Sequence, residues 1–209
     1  MHISSLVIGF VSATLVAGEC KPYPPSMVEY SYGFEEPLPP KVKFEFQTHF
    51  VQHKWDANKT SHIGVGYMYN SPKKQRVRVD SGNEFALASS IFDFKNKTTV
   101  GGLELVNNIF TNVFDPKNPS VWEGYSNSNY PLIESDFLTK REAVFVGLVE
   151  RPFLTEKVSS WSLMYPGEVA LTVFVDKCGA VVGYDYFSPY LRTRVTTSFF
   201  NTHFGEVDF

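Results

Sequence analysis

The sequence predicts a mainly β domain, organised as an antiparallel sheet or sandwich. Apolar and polar residues alternate with period two in roughly nine or ten short runs, the pattern of half-buried strands. Turn chemistry separates these runs at hairpin spacing, and no strand–helix alternation of the βαβ kind occurs. Two cysteines, Cys20 and Cys178, frame the strand series. They allow one intramolecular pairing.

The N-terminus sets the compartment. Residues 6–18 form an apolar run behind a weak n-region carrying His2. The run is too short to span a bilayer and long enough for a secretory h-region. Val16 and Gly18 suit cleavage after Gly18, so residues 1–18 read as a signal peptide. Glu19 directly before Cys20 argues against a bacterial lipidation site. No later run approaches a membrane helix. The sequons at Asn58 and Asn96 fall in polar stretches, as glycan acceptors in a eukaryotic secretory protein would.

Each element follows in order. Residues 19–41 form a proline-rich leader with Pro22, Pro24, Pro25, Pro37, Pro39 and Pro40; proline gives no donor to a sheet ladder. A single β domain is expected over 42–209. Val42, Phe44, Phe46 and Phe50 open the first strand, and a turn follows at 56–61. Ile63, Val65, Tyr67 and Tyr69 alternate next, with Gly64 and Gly66 opposite, where close packing is expected. Asn70-Ser71-Pro72-Lys73-Lys74 is turn chemistry. Residues 76–80 resume the alternation, and Ser81-Gly82-Asn83 reads as another turn. Residues 85–94 and 98–106 read as a hairpin about Lys95-Asn96-Lys97. Residues 115–119 and 125–131 read as loops. Residues 135–142 carry the helix signal, with Ser135 as N-cap. Strands are expected again at 143–149, 161–165, 168–176, 180–187 and 195–204.

Composition excludes several classes of function. The formal net charge is −3 with both signs interspersed, which gives no nucleic-acid footprint. Nucleophile-elbow, phosphate-loop and H-E-x-x-H patterns are missing. His49 and His53 share a strand face and could join His62 or His203 on zinc, but half-exposed surface histidines explain them as well. Glu35-Glu36, Glu134/Asp136 and Glu206/Asp208 have no calcium-loop spacing. Aromatic residues make up 16% of the chain. Many sit at alternating positions: Phe44, Phe46, Tyr67, Tyr69, Phe92, Phe94, Phe145, Trp161, Phe174, Tyr184 and Tyr186. They either fill a core or line a pocket for an apolar ligand.

Several segments in chain order resemble the ependymin family. Gly66-Tyr67-Met68-Tyr69-Asn70, followed by Gln75-Arg76-Val77-Arg78-Val79-Asp80, resembles its strand–turn–strand, where a G/S-x-x-Y-D run precedes Q-R-V-R-V. Ile91-Phe92-Asp93-Phe94 takes the place of its next apolar strand. Val175-Asp176-Lys177-Cys178 resembles its V-K-D-C segment with the middle pair reversed. Val195-Thr196-Thr197-Ser198-Phe199-Phe200, then Phe204-Gly205, resembles its last strand, and Cys20-Lys21-Pro22 its opening cysteine. Family members commonly carry further cysteines, which this chain lacks.

The resemblance implies a fold like the bacterial lipoprotein carriers LolA and LolB. That is a strongly curved antiparallel assembly, a half-barrel or sandwich with one or two short helices, around an apolar pocket. It implies a secreted or lysosomal glycoprotein, often a homodimer, with a Cys20–Cys178 disulfide, an association with calcium, no other cofactor and no known enzymatic activity. The expected function is binding of a fatty acid or phospholipid among the eleven aromatic residues above. Two other classes remain: an extracellular adhesion or matrix protein with a filled core, and a hydrolase without a recognisable motif.

Overall fold

A computed structural model gives the fold. It describes residues 20–27, 32–56, 59–83, 85–128, 130–165, 169–190 and 192–209, with no side-chain detail at 59–61. The expected signal peptide and the Asn58 sequon lie outside the described residues.

Among the described residues, eleven strands form one sheet. Five successive hairpin partners, Phe46–Asp56 (β1), Lys59–Ser71 (β2), Arg76–Asn83 (β3), Ala86–Lys97 (β4) and Glu104–Asn112 (β5), are followed by the edge strand Ser120–Ser126 (β6). One helical turn, Phe137–Lys140 (α1), precedes the second series: Val144–Val149 (β7), Val158–Tyr165 (β8), Val169–Val175 (β9), Val181–Ser188 (β10) and Thr193–Phe204 (β11). The spatial order is β6-β5-β4-β3-β2-β1-β11-β10-β9-β8-β7, with every pairing antiparallel. The two meanders meet where β1 pairs with β11. The sheet is open and curved, since β6 and β7 are its two unpaired edges. In sequence, however, β6 runs directly into β7. The connecting segment therefore crosses from one edge of the sheet to the other.

That segment lies over the inner face and completes the core. Ile133, Phe137 and Leu138 are buried against Phe46, Phe50, Met68, Trp161 and Phe199 of the sheet. Asn70 of β2 fixes its position. The Asn70 side chain is fully buried, accepts from the Ile133 N–H at 2.9 Å and donates to the Ile133 carbonyl at 2.9 Å. The same amide donates to the Phe44 carbonyl. The leader is stitched in alongside. Val42 N–H donates to the Ser135 carbonyl and Lys43 N–H to the Gly179 carbonyl. The Tyr23 hydroxyl donates to the Val175 carbonyl at 2.6 Å, and Cys20 is disulfide-bonded to Cys178 across 158 positions of sequence.

Two glycines let neighbouring strands approach closely. A Cβ at Gly66 would collide with the Asp80 carbonyl of β3, and one at Gly183, where φ is +153°, with the Thr197 carbonyl of β11. Gly64 faces ordinary contact distance instead, with Gly82 O at 3.9 Å from a Cβ.

The element boundaries depart from the sequence expectation in specific places. The first strand begins at Phe46 and runs to Asp56, past Phe50. Ser81-Gly82-Asn83 and Lys95-Asn96-Lys97, expected as turns, belong to β3 and β4. β6 occupies a stretch for which no strand is expected; nearly all its residues are exposed, so it lacks the alternation that marks a half-buried strand. The expected helix over 135–142 shortens to α1, with Asp136 rather than Ser135 at the N-cap and no side-chain capping bond.

Replacing Asn70 leaves the buried Ile133 amide unpaired at both ends. We expect Asn70→Ala to lower the unfolding free energy by about 3 kcal/mol in urea titrations. A variant as stable as the parent would contradict this role.

Candidate functional site

The crossing segment does not fill the whole inner face. Beside it lies a cavity of about 1270 Å³, larger than the about 300–1,000 Å³ of most small-molecule sites. Its apolar walls come from both meanders and from the segment itself. Phe94 of β4, Tyr165 of β8, Val169 and Leu171 of β9, and Tyr186 of β10 face Tyr130, Leu132 and Phe137. Pleat phase selects these residues. Leu163, Leu171 and Val173 share one face of paired strands β8 and β9, and Met164 and Ala170 take the other.

Charged residues stand toward the exposed rim, mostly in pairs. Lys54 sits 3.4 Å from Asp56, and Lys97 sits 3.4 Å from Glu104. Lys140 reaches Glu134 at 2.8 Å and Asp136 at 3.2 Å. The hydrogen bonds to those two carboxylates raise the Lys140 pKa. Arg141 lies over the Tyr165 ring, 5.4 Å from its centroid.

Four phenols mark the cavity and its floor. Burial raises the pKa of Tyr130, Tyr165, Tyr184 and Tyr186 above the ordinary 10.0 by disfavouring the phenolate. Tyr184 is packed into the core, and its hydroxyl has no hydrogen-bond partner among the described residues. Thr197 is near enough to favour its ionised form slightly, but lies outside hydrogen-bond geometry and already accepts from Gln52 at 3.1 Å.

The eleven aromatic residues expected in a pocket separate into three groups. Phe94 and Tyr186 line the cavity. Phe46, Phe92, Phe145, Trp161 and Tyr184 are buried in the core, and Phe44 is half-buried just before β1. Tyr67, Tyr69 and Phe174 lie on the opposite face, which corrects the expectation for them. Their strands have the reverse pleat phase: Met68 and Asn70 point inward, leaving Tyr67 48% exposed. Phe174 is covered instead by the Arg151 guanidinium, 3.9 Å from its ring centroid. Arg151 also makes two 2.9 Å bonds to Asp185. Tyr130, Leu132, Tyr165 and Leu171 were not anticipated as lining. The apolar run Tyr130-Pro131-Leu132-Ile133 inside an otherwise polar loop is the signal that marks the first two.

The outer face carries a second, smaller groove of about 550 Å³. Val65, Tyr67, Leu87, Ile109 and Phe200 line it beside His49. The His49 ring packs edge-on against Tyr67 at 4.4 Å and Phe200 at 5.5 Å. Among the described residues, no three His, Cys, Asp or Glu side chains gather as a metal site.

No family model matches the chain, and no curated protein is similar to it in sequence. Among solved structures, it is similar to a DUF1329 family protein from Desulfovibrio piger. Identity there is 7%, over 78% of this chain and 86% of that one, with a TM-score of 0.35. It is also similar to a LolA superfamily protein from Nitrosomonas europaea, at 6% identity over 81% of this chain and 90% of that one, with a TM-score of 0.32. Both likenesses concern the course of the chain alone. Among the described residues no helix is long and apolar enough to cross a membrane.

The buried phenols give a pH signature. Their folded pKa values lie above the unfolded value near 10.0, so the folded state holds more protons in alkali. Stability is therefore whole below that pH and falls as pH rises past it. Tyr184→Phe removes an unpartnered hydroxyl and one of these titrations. It should match the parent at about pH 8 and decline less steeply above about pH 10 in urea unfolding. Equal alkaline slopes would show that Tyr184 ionises freely.

Proposed function

We propose that the protein is a non-enzymatic carrier of a hydrophobic ligand, a fatty acid or phospholipid, held in the larger cavity. The observation that carries this reading is the unfilled space itself. A sheet this curved, already sealed by Ile133, Phe137 and Leu138, nevertheless leaves about 1270 Å³ walled by Leu132, Leu171, Tyr130 and Tyr186. Transferring an acyl chain there from water contributes roughly 0.8 kcal/mol per CH₂ buried. The ependymin resemblance supports the same reading, as do the disulfide and the exposed Asn96 sequon for a secreted glycoprotein. We extend the proposal to the remaining family properties: calcium binding, a homodimer and glycosylation at Asn58 and Asn96.

One observation favours a second reading. Ile63, Val65, Tyr67, Leu87 and Ile109 are each about half exposed or more on the outer face. An adhesion or matrix protein would use that face to bind a partner.

Mass spectrometry of lipid extracted from the purified protein, followed by delipidation and re-addition of palmitate, separates the two. At about a hundredfold excess over the dissociation constant, palmitate should raise the melting temperature by about 5–10 °C. Leu171→Trp, which fills the cavity, should reduce that shift. No bound lipid and no shift would leave the outer-face reading.

A further inference from the structure

We propose that Arg141 anchors the anionic headgroup, a carboxylate or phosphate ester, of an amphiphile whose chain occupies the cavity. The assignment rests on the carrier reading of that cavity.

The charges at the rim single out this residue. Among the described residues, four lysine and arginine side chains line the cavity: Lys54, Lys97, Lys140 and Arg141. The three lysines each face a carboxylate within 3.4 Å. Among the described residues, the Arg141 guanidinium has no carboxylate partner and no hydrogen-bond acceptor; its one contact of note is the face of Tyr165. Of the acids around it, Glu134 and Asp136 are held by Lys140. Glu104, which raises the Tyr165 pKa, is held by Lys97. Among the described residues, Arg141 thus presents a guanidinium without a carboxylate partner where the apolar walls meet solvent.

Its placement is ordered by the backbone. Glu142 adopts φ +51°, with its N–H on the Thr139 carbonyl, and Ala143 N–H closes on Leu138. This turn ends α1 and sets Arg141 at the cavity edge, one residue beyond Lys140. Stacking on an aromatic face leaves the edge of a guanidinium free to make two parallel N–H bonds to one anion, geometry a lysine lacks. Tyr165 is both the stacking platform and a cavity wall, so an anion held there places its chain directly against Tyr165, Val169 and Leu171.

The test compares three ligands sharing one alkyl chain: palmitate, hexadecyl phosphate and hexadecanol. Each is titrated calorimetrically into the delipidated full-length protein. The parent should bind at least one anion about tenfold more tightly than the alcohol. The anion preferred identifies a carboxylate or a phosphate ligand. Arg141→Gln should abolish the anion-over-alcohol preference, and Arg141→Lys should restore only part of it. A preference that survives Arg141→Gln, or equal binding of all three ligands to the parent, overturns the assignment while leaving the carrier reading intact. If none of the three binds the parent, the carrier reading fails and the assignment falls with it.

Discussion

Everything on the inner face depends on how the chain crosses from β6 to β7. A curved open sheet buries only one face, and that face needs a cover. Here the cover is a single segment without extended secondary structure, so its own backbone groups require partners. Asn70 supplies them, offering an acceptor and a donor to one residue, Ile133. Such a bond pair selects one residue of the crossing segment over its neighbours. Register then follows: Ile133 down, with Phe137 and Leu138 behind it in the core. The leader and the residue that follows it add strength from outside, through the Cys20–Cys178 link and Val42 on Ser135. In the chain-entropy model, closing so long a loop stabilises by up to about 5 kcal/mol.

The cavity is the other half of the same arrangement. One segment of this length covers part of a wide inner face and leaves the rest unfilled. What remains has aliphatic and aromatic walls, buried phenols and a rim of paired charges. The ion pairs are exposed, and each adds little to stability. They occupy the three lysines that line the cavity, while Arg141 has no carboxylate partner among the described residues.

Much of the fold was legible in the sequence, for physical reasons. The hairpin between β2 and β3 is set by Ser71-Pro72-Lys73-Lys74, and the alternation of Val77 and Val79 is clean because one side is core and the other is water. β6 was not legible, since an exposed edge strand has no buried side to create a pattern. The pocket was only partly legible. Phe94 and Tyr186 face the cavity, but Tyr67 and Tyr69 alternate with inward-facing Met68 and Asn70, and alternation alone does not say which phase faces in. Arg141 could not be singled out, because its significance lies in which neighbouring lysines are already paired.

Photo-crosslinking with a diazirine-bearing palmitate, followed by peptide mapping, tests most directly whether a hydrophobic ligand enters the inner cavity rather than the outer groove. Entry into the cavity gives adducts on the peptides carrying Tyr130, Leu132, Leu171 and Tyr186. Adducts confined to Val65, Tyr67, Leu87 or Ile109, on the outer face, would contradict it.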